Sequence, residues 1–312
     1  MEIGTEVVLE SEALRVTVLP TLGGKIASLR WRRGDVELLQ APLRPYEERT
    51  LTMGFEEGDA SGFDECLPSV AACAVPGPDG TVQIPDHGDF WRLPWSCTRN
   101  GMSLAMAATG VSLPLRLERT LALEGAALRL SYRVKNIGDG PAEYGWSAHP
   151  LFAVERGDRV ELPASVKEVR VEGSAGGRLG RKGAMHPWPR TRSATGASID
   201  WSVAGGPGDE VGDKVFAAAP PEGWAAVVRR EQRVRVEVRF NAAQTPWLGL
   251  WLCYGGWPER QSARQQCVAL EPCTAPVDSL AEARQQGWAR KLAPGASDAW
   301  SMEIRVAAQE RL

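Results

Sequence analysis

The chain has 312 residues, with 36 Lys plus Arg against 39 Asp plus Glu and a formal charge of −3, which argues against a nucleic-acid-binding protein built on a basic stripe. Hydrophobic residues at 43% and charged residues at 24% are proportions of a folded globular chain, which excludes a largely disordered one. No run approaches the roughly 18 apolar residues of a membrane span, and the acidic start at Glu2 and Glu6 lacks an apolar signal core, so a cytoplasmic protein without membrane partners is expected.

Short alternating or apolar runs, cut by Gly, Pro and Asp, predict strands from Arg15 to Leu19, Lys25 to Trp31, Ser112 to Leu123 and Ala127 to Lys135. Glu124-Gly125-Ala126 and Asn136-Ile137-Gly138-Asp139-Gly140 have the composition of hairpin turns. Further strands are expected from Val166 to Val171, Trp224 to Val228, Val234 to Phe240 and Trp247 to Tyr254. Between Arg233 and Phe240 charges alternate strictly with apolar residues, as in an antiparallel strand with one wet face. The Gly-, Pro-, Arg- and Ser-rich stretch from Gly173 to Gly212 reads as extended loops around a short strand or two. Only Ser279 to about Gln286 reads as helix, with Ser279 and Glu282 at capping-box spacing and Gly287 as a stop. Without βαβ alternation, the expectation is all-β: one large antiparallel sandwich over residues 1–312, with one short helix near the C-terminus.

The six cysteines include no CxxC pair and no histidine at finger-like spacing, so they are read as reduced, mostly buried and free of metal. Gly23-Gly24-Lys25 is no phosphate loop, because Ile26 stands where Ser or Thr is needed. No GxSxG, HExxH or EF-hand pattern is present.

Three histidines remain to be weighed. His87 follows Asp86 in a glycine-punctuated turn before an aromatic run, which suits an imidazole presented to a cleft and equally a surface loop cap. His149 sits in the apolar run Trp146 to Phe152, as either a cleft residue or a core histidine satisfied by backbone. His186 lies in the loop-rich stretch, where exposure is the default. Glu271 ends the apolar run Val268-Ala269-Leu270, where it is either a strand-end carboxylate facing water or one paired in a cleft; a raised pKa there would suit a general base. Asp64 and Glu65 are adjacent and point to opposite faces of an extended chain, so at most one easily faces a common site. Asp213-Lys214 reads as an exposed strand start. Twelve tryptophans against four tyrosines and six phenylalanines supply flat surfaces suited to sugars, and also core filling.

In order and spacing, Leu22 to Leu29, Gly62 to Pro68, His87-Gly88 with Leu93-Pro94-Trp95, His149-Pro150, Asp213 to Phe216, Leu270-Glu271-Pro272 and Leu292 to Gly295 together give a chain that resembles the aldose 1-epimerase (galactose mutarotase-like) superfamily. The resemblance runs from about Leu9 to Val306, and implies a β supersandwich with a sugar cleft on one sheet. It implies His149 as acid toward the ring oxygen and Glu271 as base on the anomeric hydroxyl. It further implies His87 as the histidine that orients the sugar, Asp213 as a ligand of sugar hydroxyls, and Asp64 with Glu65 as a substrate-binding motif of divergent branches. Ser147-Ala148 before His149 and Pro150 after it depart from the usual Thr-Asn and aromatic neighbours. The implied activity, interconversion of α and β anomers of an aldose, needs one acid and one base and no metal or cofactor. A carbohydrate-binding or sensing module on the same fold is the alternative, and a polysaccharide lyase or hydrolase a third. Arg178, Arg181, Arg190 and Arg192 leave a sugar phosphate open as partner, beside the plainer reading of a solvated basic loop.

Overall fold

Alternation of buried and exposed positions builds the smaller of two large sheets. In the computed structural model, which describes residues 6–77 and 80–309, Leu115–Glu124 pairs with Ala127–Asn136 across the predicted Gly125 turn. Ala127–Asn136 then pairs with the twelve-residue strand Ser297–Ala308, which pairs in turn with Val234–Phe240. Eight strands form this sheet, every second side chain of its central members pointing inward. The other large sheet has eleven strands, all neighbours antiparallel, with Phe63–Cys66, Ser147–Ala153, Gln266–Cys273, Trp247–Tyr254 and Val211–Ala218 side by side in its middle.

One apolar cluster joins the two sheets. Leu117, Leu121, Val134 and Ile304 of the smaller sheet share it with Val16, Val215, Leu250 and Leu270 of the larger, so each presses one face on the other. The middle strands of the larger sheet are buried on both faces, because loops 41–62 and 254–265 and the Asp86–Gly88 turn cover the outer face. The sequence expectation of an all-β antiparallel sandwich with one short helix therefore holds, and the helix is Leu280–Gln285, capped by the Ser279 hydroxyl accepting from the Glu282 N–H.

Several local expectations change. Asn136 to Gly140 is no hairpin: it carries the chain from the smaller sheet to Ala142–Tyr144, which pairs with Arg290–Leu292. The predicted strand from Ser112 starts at Leu115, after a turn in which Asp89 accepts from Val111 and Ser112. The Gly173 to Gly212 stretch holds three short strands, Met185–Pro187, Arg190–Arg192 and Ser198–Asp200. Val211–Ala218 is an interior strand buried at seven of its eight positions, so Asp213-Lys214 is not an exposed start.

Candidate active site

Period-two alternation sorts the candidate residues before any contact is considered. In Gln266–Cys273, Val268 and Leu270 face the core, so Glu271 faces outward; in Ser147–Ala153, Ala148 and Phe152 face the core, so His149 faces outward. The flanking pairs Ser147 with Cys273 and Leu151 with Ala269 set His149 and Glu271 opposite each other. Their side chains meet at 3.0 Å, His149 Nδ1 to Glu271 Oε1. The same alternation puts Val211, Val215 and Ala217 inward, which sends Lys214 outward beside Glu271 and Asp213 inward.

Glu271 has no accessible surface, and its carboxylate is fully engaged: Oε1 by His149, Oε2 by the Lys214 ammonium and by the Ser147 hydroxyl at 3.1 Å. Gly249 makes room for this junction, since a Cβ there would stand 3.0 Å from Glu271 Oε2. Burial alone would raise the Glu271 carboxyl, but Lys214 first and His149 next outweigh it and hold it at about 2. Burial lowers the His149 imidazole more than Glu271 raises it, so the ring is neutral at neutral pH. Burial opposes the charge on Lys214, yet Glu271 and Asp278 prevail and raise its pKa.

Above this buried row lies a cleft of about 290 Å³ whose walls include His149, His87, Lys214 and Asp278. Phe55 forms one side, stacked on His87 at 4.0 Å and 9° and edge-on to His149 at 5.5 Å; Trp251 and Trp257 form another. His87 reaches the cleft because its turn is left-handed, φ 57°, and the next residue, Gly88 at φ 71°, passes so close to Leu67 that a Cβ would stand 2.0 Å from its carbonyl oxygen. Asp86 Oδ1 holds His87 Nδ1 at 2.9 Å, and Asp86 Oδ2 accepts from the Phe55 N–H at 2.8 Å. Burial would raise Asp86, but His87 and this N–H lower it to about 2.

Three residues read as sugar ligands do not reach the cleft. Asp213 is buried on the inner side, taken up by Arg178 Nε at 2.9 Å and Trp201 Nε1 at 3.0 Å. Glu65 is buried between the sheets and accepts from Arg119 at 2.8 Å and from Tyr132 and Trp146 at 2.9 Å each. Asp64 faces outward like His149 but is sealed among Lys25, Arg49 and Asp59, with Lys25 Nζ at 2.5 Å and Arg49 Nη1 at 3.2 Å. Alternation along Phe63–Cys66 is what separates the adjacent acids, as the sequence indicates.

His186, expected in an exposed loop, is half-buried in Met185–Pro187 with both ring nitrogens bonded, to Thr191 Oγ1 and the Leu179 carbonyl. Arg178 and Arg190 are paired with Asp213 and Asp200, so two of the four loop arginines are committed to local carboxylates. Sequence reasoning missed Lys214 as a site residue and passed over Asp278 altogether. The Leu270-Glu271 run called for a paired or solvated carboxylate, but nothing local named the cation that pairs it. Among the described residues no group of three or more His, Cys, Asp or Glu is gathered to hold a metal ion, and no helix is long and apolar enough to cross a membrane.

A domain-family profile described as a domain of unknown function (DUF4432) matches residues 180–306. No curated protein matches the sequence. Among solved structures the chain is similar to a candidate aldose 1-epimerase of Escherichia coli K12, with a TM-score of 0.70 and 18% identity over 97% of this chain and 99% of that one. It is likewise similar to a galactose mutarotase related enzyme of Lactobacillus acidophilus, with a TM-score of 0.69 and 13% identity over 99% of both chains. The Slr1438 protein of Synechocystis sp. PCC 6803 gives a TM-score of 0.69 and 16% identity, over 99% of this chain and 97% of that one. The fold is thus galactose mutarotase-like, at identities that mark a divergent chain.

Proposed function

We propose that the cleft binds a monosaccharide and interconverts its α and β anomers, as an aldose 1-epimerase does. The observation that carries this reading is His149, held by Glu271 at 3.0 Å and presented edge-on to His87 at 5.4 Å in the wall of an aromatic cleft. A cleft of about 290 Å³ lies just below the roughly 300–1,000 Å³ of ligand pockets, which suits one sugar ring better than a polymer.

Opening the ring requires that O1 lose a proton while the ring oxygen gains one. Glu271 holds the Nδ1–H of His149, which leaves Nε2 as the lone pair of a neutral imidazole, a base for the O1 proton. Glu271 itself has no accessible surface and both its oxygens are hydrogen-bonded, so it acts through His149 and Lys214 as a positioning residue. This reverses the roles implied by the family resemblance, in which His149 is the acid and Glu271 the base. His87, pinned by Asp86 and Phe55, orients the sugar, and Trp251 and Trp257 offer faces to its C–H edges.

The partner is proposed to be an uncharged aldose. Glu56, Asp86 and Asp278 line the cleft with Lys214 as the cation facing them, and Lys214 is already occupied by Glu271. A phosphate group would meet carboxylates there.

Saturation transfer between α and β anomeric protons, across free hexoses, pentoses and hexose 6-phosphates, tests the reading. Exchange that needs the protein and drops roughly 10²- to 10⁴-fold in His149→Gln supports it. Line broadening without exchange would turn the protein into a sugar-binding module. Silence from every sugar would remove the epimerase reading.

A further inference from the structure

Anomer interconversion needs two groups that exchange protons with the sugar, and His149 supplies one. The cleft offers few others. Lys214 is fixed as a cation by Glu271, its closest partner. Asp86, at about 2, is committed to His87 and the Phe55 N–H. Glu56 is exposed to solvent at the rim. His87 donates to or accepts from Asp86 through Nδ1 and lies flat under Phe55.

Asp278 differs from all of these. It lines the cleft from the segment before the Ser279 cap, and its side chain keeps 18% exposure. Its Oδ1 is enclosed and receives no hydrogen bond; the nearest cation, Lys214 Nζ, stands 3.7 Å away, too far for one. A second enclosed carboxylate adjoins it, for the Asp278 N–H donates to Glu172 Oε1 at 3.2 Å while Glu172 Oε2 is also unpartnered. Besides Lys214, the titratable groups that act on it are Glu271, His87 and His149; Lys182 and Arg170 attend Glu172 instead. Each of these carboxyl groups keeps an enclosed oxygen without a hydrogen-bond donor, which favours its protonated form. Burial, with Glu271 adding to it, accordingly raises the Asp278 carboxyl despite Lys214, and burial with Asp278 raises Glu172.

We propose that Asp278 is the second catalytic residue of the cleft, the acid that protonates the ring oxygen while His149 takes the proton of the anomeric hydroxyl. The inference rests on the epimerase reading above. The Asp278 carboxylic acid gives its proton to the ring oxygen as the bond from C1 to that oxygen breaks and leaves its electron pair there. The O1–H electrons form the C1=O1 double bond as that proton passes to His149 Nε2. After rotation about C1–C2 the former ring oxygen adds to the other face of C1, its proton returns to Asp278, and His149 returns its own to O1. Both residues end as they began.

The test is the rate of anomer exchange against pH for wild type, Asp278→Asn and Glu172→Gln, with unfolding midpoints recorded alongside. Asp278→Asn is expected to lose roughly 10²- to 10⁴-fold in kcat. Glu172→Gln is expected to move the pH optimum downward, because removing a neighbouring negative charge makes Asp278 easier to deprotonate. A purely structural Asp278 would move neither. Exchange within threefold of wild type in Asp278→Asn overturns the inference, and if that variant does not fold, an unmoved optimum in Glu172→Gln overturns it. Absence of exchange in the wild type with every sugar is a different failure, of the epimerase reading itself, and it is visible before any variant is compared.

Discussion

Two charge clusters sit side by side on the outer face of the larger sheet, Asp64 of one directly paired across strands with His149 of the other. The first joins Lys25 and Arg49 to Asp59 and Asp64. Both its carboxylates use both oxygens, and no member is more than 8% exposed. Two positive charges meet two negative ones, and Arg49 lies over the Trp91 ring at 4.6 Å. The second joins His149, Glu271, Lys214 and Asp278, and leaves one carboxylate oxygen unpartnered next to an open cleft. The first network balances its charges and pairs every carboxylate oxygen, leaving only Arg49 Nε without a partner, and it fixes loop 41–62 over the sheet. One that is open and incompletely paired has something left to do.

The two clusters should respond differently to loss of a member. Asp64→Ala strips one carboxylate from a sealed balanced cluster and is expected to lower unfolding stability by about 3–5 kcal/mol. Chemical denaturation measures it. His149→Gln keeps an amide donor for Glu271 and should lower stability by only about 1 kcal/mol while removing exchange. If Asp64→Ala unfolds no more easily than His149→Gln, the first cluster is not the anchor described.

Lys214→Met sharpens the contrast through pH. With Lys214 present, Glu271 is held at about 2, below its ordinary 4.5, so its contribution to stability is present above 4.5 and is lost as pH falls toward 2. Without Lys214 the largest pull toward the charged form is gone, so the carboxyl rises from about 2 and that contribution shrinks. The stability gap between wild type and Lys214→Met should therefore be widest near neutral pH and narrow as pH falls through 4.5, in urea titrations at a series of pH values. A gap that stays constant would show that Lys214 does not carry the Glu271 charge.

How far this contrast was legible in the sequence depends on burial. Val234–Phe240 announces itself because one face is wet and its charges alternate. Val211–Ala218 is covered on both faces, so no alternation shows and the sequence offers no way to decide whether Asp213 or Lys214 faces the cleft; a slip of one residue exchanges them. His149 and Glu271 were recognisable as polar residues in apolar runs. Asp278 was not, because it sits before an ordinary helix cap and acquires its neighbours Lys214 and Glu172 only through the fold. Arg49, Asp59 and Lys25 likewise look like surface charges until loop 41–62 folds down.

The smallest expected effect separates orienting groups from reacting ones within the cleft. Phe55 holds His87 by a parallel stack at 4.0 Å, and its N–H is bound by Asp86, which holds the other side of the same ring. Phe55→Leu keeps an apolar side chain over Trp91 but removes the flat face, a loss of about 0.5–1.5 kcal/mol for such a pair. If His87 only positions the sugar, that loss falls on binding and raises KM roughly 2- to 12-fold with kcat within threefold of wild type. His149 meets Phe55 only by an edge at 5.5 Å and is held mainly by Glu271, so its proton transfer should be nearly untouched. A fall in kcat with KM unchanged would instead make His87 a participant in the proton transfer, and the division between an orienting histidine and a reacting one would have to be drawn elsewhere.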